Sequence, residues 1–277
     1  MGELSLGYGR RGERTIPTER RHVGPLRVLR HFYPEGDGLL QHVVVHPPGG
    51  VATGDQLQVR LDLAEGAQVQ LTTPGATSWY RARSAIADPP TAADALQEIR
   101  ATLAPDATLE WLPQPTILFD GARARLKARF DLADGARLLA WDLVALGRRA
   151  GDLPFRLGSL RYDTQVRRAG RLLHAERLVL DAVDRWRDSA LGLGGADVFG
   201  TFIVAAPDLQ EHTLTACRVE PAPPGDRAAL TLLPGLLVAR YVGTSTERAQ
   251  AWLRRLWHIT RPAVLGRPAV PPRIWST

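Results

Sequence analysis

The chain has 277 residues, is 44% apolar, and carries 35 basic against 29 acidic side chains, for a net charge of +6 and an isoelectric point near 10.2. That is ample material for a core. No run approaches the ~18 apolar residues of a membrane span, and the single cysteine, Cys217, excludes an internal disulfide and a cysteine metal cage.

The first 23 residues are polar and basic with no hydrophobic segment. They are expected to form a partly ordered leader that is not a secretory signal, which with the lone cysteine points to a cytoplasmic protein. From Gly24 onward most of the chain reads with period two. "LQVRLDL" (57–63) alternates apolar and polar without a miss, and "ARLKARFDL" (124–132) sets apolar residues on one side and charges on the other. Such runs are half-buried strands. Looser runs of the same kind cover 26–32, 39–45, 67–72, 137–146, 172–180, 198–204 and 236–242.

An internal echo joins three of them: "LDLAEGAQVQL", "ATLAPDATLEW" and "FDLADGARLLAW" each read strand, acidic turn, alanine, strand. Their turns suit hairpins or strand-to-strand corners. The unequal spacing argues against a strict solenoid repeat and for an extended stack of antiparallel or mixed strands. Near the end, Ser245 or Thr246 can cap a helix over 245–260, with Ala249, Trp252, Leu253, Leu256 and Trp257 at helical spacing and Pro262 as its stop. A weaker helix is predicted over 207–217, and an irregular, proline-stiffened tail over 262–277. The expected fold is mainly β, β-helix-like, with a small two-helix C-terminal element; 24–277 forms one domain.

Motif physics yields little catalysis. The "HPPGGVATGD" loop (46–55) lacks the Gly-Lys-Ser/Thr ending of a phosphate loop and is followed by a strand. His42 and His46 sit about 13 Å apart on one strand face, too far to share a metal. Ser78 is not in a nucleophile elbow. Glu110 and Asp120, in "EWLPQPTILFDGA", are candidates for a glycosidase acid–base pair. As for polyanions, Lys127 is the only lysine and the arginines are scattered in sequence. No groove-reading helix or basic–aromatic row accompanies them, so neither nucleic acid nor membrane is an expected partner.

One resemblance goes further. "GPLRVLRHFYPEG" (24–36), "VVHPPGGVATGDQL" (44–57), "LTTPGATSWYRA" (71–82), "LEWLPQPTILFDGA" (109–122) and the ending from "YVGTSTERAQAW" (241–252) through "RIWST" occur in an order similar to the urease accessory protein UreD family, also called UreH. "LGR" (146–148), "AERLVL" (175–180) and "GTFIVA" (200–205) fall between them. The resemblance implies a non-enzymatic urease maturation factor that binds the urease apoprotein and recruits UreF and the GTPase UreG. In that setting nickel is delivered to the urease active site, by way of an internal water-filled passage. No tightly bound cofactor is expected, only transient nickel(II). Two departures stand out: segment 82–97 is extended, and Pro115 replaces the usual Glu of a Pro-Gln-Glu element. Asp55, Glu110, Asp142 and Glu176 stand at strand ends or in apolar strands where an acid is out of place, and are the expected passage acids. Arg273 and Trp275 of the tail are the expected UreF contacts, because Trp and Arg dominate interface hot spots.

Overall fold

The computed structural model describes residues 1–81 and 94–276; most of the extended segment 82–97 lies outside them. The strands are β1 Gly2–Arg11, β2 Arg14–Val23, β3 Arg27–Val28, β4 Leu39–Val45, β5 Gly50–Ala52, β6 Gln56–Leu63, β7 Gln68–Thr72, β8 Thr77–Tyr80, β9 Ala95–Leu103 and β10 Thr108–Leu112. There follow β11 Thr116–Leu118, β12 Arg123–Leu132, β13 Arg137–Arg148, β14 Leu153–Pro154, β15 Ser159–Arg168, β16 Arg171–Asp181 and β17 Val198–Ala205. Helix α1 is Glu211–Arg218, β18 is Arg227–Leu233, β19 is Leu236–Gly243 and helix α2 is Thr246–Leu265.

These strands wind as a parallel solenoid. One sheet runs β16-β15-β12-β9-β6-β1-β2 and the other β18-β19-β17-β13-β10-β7-β4-β3. Between neighbouring coils every pairing is parallel: β4-β7-β10-β13 on one side, β6-β9-β12-β15 on the other, and a short third row of β5, β8, β11 and the end of β13. The expected β-helix-like stack is therefore present, with parallel pairing between its coils, and of the two readings of the echoed turns the strand-to-strand corner is the one found. Each corner closes with an alanine N–H donating to the alanine three residues back: Ala67 to Ala64, Ala107 to Ala104, Ala136 to Ala133. The third residue of each takes a left-handed φ, namely +64° at Gly66, +57° at Asp106 and +74° at Gly135. Glycine, and next best Asp or Asn, suits that conformation. Successive corners also bond to each other, Gly66 N–H to Pro105 O at 3.0 Å and Asp106 N–H to Asp134 O at 3.3 Å. The return loops on the far side differ in length, which hides the repeat.

Antiparallel pairs close both ends: β1 with β2, β15 with β16, and β17, β18 and β19 onto β13. The expected basic leader is thus two strands of the first sheet, with Leu4, Leu6 and Tyr8 of β1 buried in the interior.

Helices α1 and α2 cover the outer face of the second sheet. Trp252, Leu253, Leu256 and Trp257 are fully buried there against Leu139, Trp141, Phe202, Leu237 and Tyr241, each worth about 1.5–3 kcal/mol of apolar burial. Ser245 Oγ accepts from Arg248 N–H, as a cap should. The helix does not stop at Pro262. It runs to Leu265 and ends at Gly266, whose left-handed φ of +66° and N–H to Pro262 O close the last turn. The proline falls one turn from the end, and Arg261 beside it is held from several sides.

That anchorage starts from a polar rung. Gln41, Gln70 and Glu110 stand opposite one another on β4, β7 and β10 and face α2. Gln41 donates to Gln70 at 2.6 Å and Gln70 to Glu110 at 3.1 Å. Trp257 Nε1 donates to Glu110 at 2.7 Å, and Arg261, with 0% exposure, grips the same carboxylate at 3.0–3.1 Å and Glu35 at 2.8 Å. Pro268 O also accepts from Arg261. Burial pushes the Glu110 carboxyl upward and the guanidinium pulls it back. Replacing Arg261 by Met strands two buried carboxylates and is expected to remove ~3–5 kcal/mol of unfolding free energy. Glu110→Gln should remove less, because Glu35 still neutralises Arg261. Urea unfolding curves ranking the two variants the other way would overturn this account.

Candidate functional site

Inside the solenoid, between the two sheets, lies a cavity of about 220 Å³ bordered by His46, Gly49 and Gly50 of the Pro-Pro-Gly-Gly loop, by Leu57, Gln97 and Trp111, and by Asp142. The loop that is no phosphate loop is thus one wall of this space, with the exposed Gly49 at φ +77° supplying the bend. Strand alternation explains Asp142: Leu138, Ala140, Val144 and Leu146 of β13 point inward to the core, and Asp142 occupies the same face. It accepts from Tyr162 Oη at 3.3 Å across the gap between the sheets. Burial raises its carboxyl from the ordinary range to about 7.

Asp142 begins a polar section that runs from the interior out to the half-exposed Arg240. Asp142, Thr201 and Arg240 share one rung of the second sheet. Thr164 and Glu176 share the facing rung of the first. Glu176 joins the two, accepting from Arg240 Nε at 3.1 Å, with His174 Nε2 at 3.6 Å. Burial pushes the Glu176 carboxyl up, but His174 and Arg240 outweigh it and hold the carboxyl below its usual range. Three buried atoms here have no hydrogen-bond partner: Thr164 Oγ1, His174 Nε2 and Glu176 Oε2. Orphaned polar atoms gathered in one place are the signature of a wet site, since each left dry costs about 1–3 kcal/mol. What the arrangement can do chemically is hold water and lend oxygen and imidazole lone pairs to a passing hydrated cation. Among the described residues no three His, Cys, Asp or Glu side chains converge tightly enough to fix a metal.

The four acids named from sequence therefore part company. Asp142 and Glu176 lie in this section. Glu110 points away from it, toward α2, and its carboxylate is filled by Arg261, Trp257 and Gln70. Asp55 caps its own turn, accepting from Ala52 N–H at 2.8 Å while its N–H donates to Ala52 O. Glu176 pairs with Arg240, 64 residues away, while the adjacent Arg177 lies on the opposite face and pairs with Asp163. Tyr162, Thr164, His174, Thr201 and Arg240 were not foreseen. His174 and Glu176, two apart on an apolar strand, were the available signal. The candidate pair Glu110 and Asp120 does not form: Asp120 caps the 156–157 backbone, accepting two N–H bonds at 2.7 Å. The tail is not loose either. Trp275 sits 5.7 Å from both Trp141 and Trp257, beneath Arg254, and donates to Thr72 at 2.7 Å. Arg273 is exposed.

The fold is thus a β-solenoid with two acids, Asp142 and Glu176, between its sheets, and with Glu110, Asp55 and Asp120 committed to structural hydrogen bonds. The family described as "UreD urease accessory protein" matches residues 1–276. The chain is similar to "Urease accessory protein UreD" of Dechloromonas aromatica, with 46% identity over 99% of this chain and 94% of that protein. It is similar to the Pseudomonas aeruginosa protein of the same name, 48% identical over 99% and 94%, and to that of Nitrosococcus oceani, 44% identical over 99% and 90%. The chain belongs to the UreD urease accessory protein family, and its role is in urease maturation.

The Asp142 carboxyl fixes a pH dependence. Its folded-state value near 7 lies above the 3.8 of an ordinary Asp. Stability from the protonated form is thus complete below the ordinary range and is lost as pH rises through about 7. Asp142→Asn removes that loss. Its stabilising effect should be larger at pH 8 than at pH 5 by ~1–3 kcal/mol, at 1.36 kcal/mol per pKa unit. Thermal or urea unfolding at the two pH values measures it, and an equal effect at both would show that Asp142 is not buried as described.

Proposed function

We propose that this protein is a scaffold that binds the urease apoprotein and, with UreF and the GTPase UreG, supports nickel delivery through its own interior. The observation that carries this reading is the polar section Asp142–Tyr162–Glu176–Arg240, with its orphaned buried atoms, next to the inter-sheet cavity. Nickel is the cargo here, met by carboxylate oxygens and water in place of part of its hydration shell. A hard, oxygen-rich and partly hydrated path binds such an ion weakly and lets it go, which suits a conduit and not a store. No resident cofactor and no catalysis of its own are part of this reading. The hydrolase alternative loses its residues, since both Glu110 and Asp120 are occupied by structural hydrogen bonds. Among the described residues no helix is long and apolar enough to cross a membrane.

In this reading UreF docks at the C-terminal end, where Arg273 is exposed beside the docked Trp275. Because Trp275 packs against Trp141 and Trp257, cutting the chain after Leu265 would open the α2 core. The point substitution Arg273→Glu is the cleaner probe, and is expected to weaken UreF capture with the melting temperature unchanged.

The deciding experiment uses Asp142→Asn and Glu176→Gln. Both variants should fold and co-purify with UreF and UreG, yet leave urease with several-fold less nickel after activation in vitro. Asp55→Ala, which loses only a turn bond worth about 1 kcal/mol, should deliver nickel normally. Full nickel content with both interior variants would end the conduit reading.

A further inference from the structure

The arginines, scattered in sequence, are not scattered in space. Coil stacking puts Arg60 of β6, Arg100 of β9 and Arg129 of β12 directly opposite one another on parallel strands. The same rung continues through Ser5 of β1 to Arg21 of β2. All four arginines are exposed, on the outer face of the first sheet, away from the cavity. Neighbouring strands lie about 4.8 Å apart, and like charges directly opposite destabilise a sheet. Relief is partial. Arg100 pairs with Glu98 at 2.8 Å and Arg129 with Asp131 at 2.7 Å, each two residues along its own strand, while Arg60 reaches only Gln58 Oε1 at 3.4 Å. The solenoid has thus lined up guanidinium groups that the isolated chain leaves half-neutralised.

We propose that this arginine rung is the docking surface for the urease apoprotein, through a strip of carboxylates on urease. The inference rests on the reading of the chain as a urease-binding scaffold. A protein that bridges two partners must offer each its own face. Helices α1 and α2 and the docked tail cover the second sheet and carry the UreF contact, so the outer face of the first sheet is the other broad surface. Guanidinium forks recognise carboxylates in bidentate fashion. The rung is narrow: the flanking row on one side reads Glu98, Lys127, Asp163, and the row on the other holds Asp62, Asp131 and Arg167, so acids break up the basic surface on both sides. A broad phosphate backbone would collide with those acids, and no aromatic side chain stands on β6, β9, β12 or β15 of this face for bases to stack on. A row of carboxylates fits between them. The basic face also repels nickel, so docking and cargo transit use opposite faces of one sheet.

The test measures binding of the purified chain to purified apo-urease, and separately to UreF–UreG and to duplex DNA, between low and moderate salt. Arg60→Gln/Arg100→Gln/Arg129→Gln is expected to weaken apo-urease binding at least ten-fold and flatten its salt dependence, with UreF–UreG binding unchanged. The melting temperature of the isolated variant should stay level or rise, because repulsion along the rung is relieved; a structural role would lower it. The charge-reversed Arg60→Glu variant should weaken apo-urease binding on its own. If wild-type protein binds apo-urease and the triple variant binds it equally, or loses UreF–UreG instead, the docking assignment is wrong. The same holds if duplex DNA binds the rung more tightly than apo-urease does. If wild-type protein binds none of the urease components, the functional reading fails first.

Discussion

The contact on which most of this molecule depends is the grip of Arg261 on Glu110 and Glu35. A guanidinium with no solvent exposure sits between two buried carboxylates, with Trp257, Gln70 and Gln41 extending the network into three stacked strands. Such an arrangement offers little net stability over a well-packed apolar substitute, yet its rupture is severe. What it supplies is position. The apolar stripe of α2 could slide along the sheet by a turn with modest loss of burial. The five hydrogen bonds converging on one carboxylate allow a single register, and Pro268 O, also held by Arg261, fixes where the tail turns back to bring Trp275 onto Trp141.

How far this was legible in sequence follows from the period of each feature. Alternation at 57–63 and 124–132 identified strands and their buried faces, because that signal is local. The three echoed corners were visible too, and Gly66, Asp106 and Gly135 answer to one another in conformation. Parallel pairing was not visible. It depends on which residues the return loops bring opposite each other, and loops of unequal length erase the period. The arginine rung was hidden for the same reason: Arg60, Arg100 and Arg129 are separated by dozens of residues and become neighbours only when coils stack. Residues 1–23 misled because β1 is rich in glycine and its buried Leu4, Leu6 and Tyr8 are too few to read as an apolar run.

The acids show the limit more sharply. Each of Asp55, Glu110, Asp142 and Glu176 is locally out of place, and sequence cannot say why. Glu110 is explained by an arginine 151 residues away, and Asp55 by its own turn. Only for Asp142 and Glu176 does the fold leave part of the carboxylate's demand unmet.

That remainder has a physical meaning. In Glu110 the fold shows that it can satisfy a buried carboxylate completely, with a guanidinium, an indole and an amide. At Asp142 it offers one phenol at 3.3 Å, and at Glu176 it leaves Oε2 unpaired within 3.6 Å of an equally unpaired His174 nitrogen. Asp142 sits on the inner face between the apolar Ala140 and Val144, where an apolar residue would pack without penalty, while Glu176 stands between His174 and Leu178 on its strand. A fold built for stability alone gains little from two partly satisfied carboxylates and a half-exposed salt bridge across the sheets. It would keep them if water and a cation pass between the sheets, because the charge that is costly in the empty protein becomes favourable each time a divalent ion stands beside it.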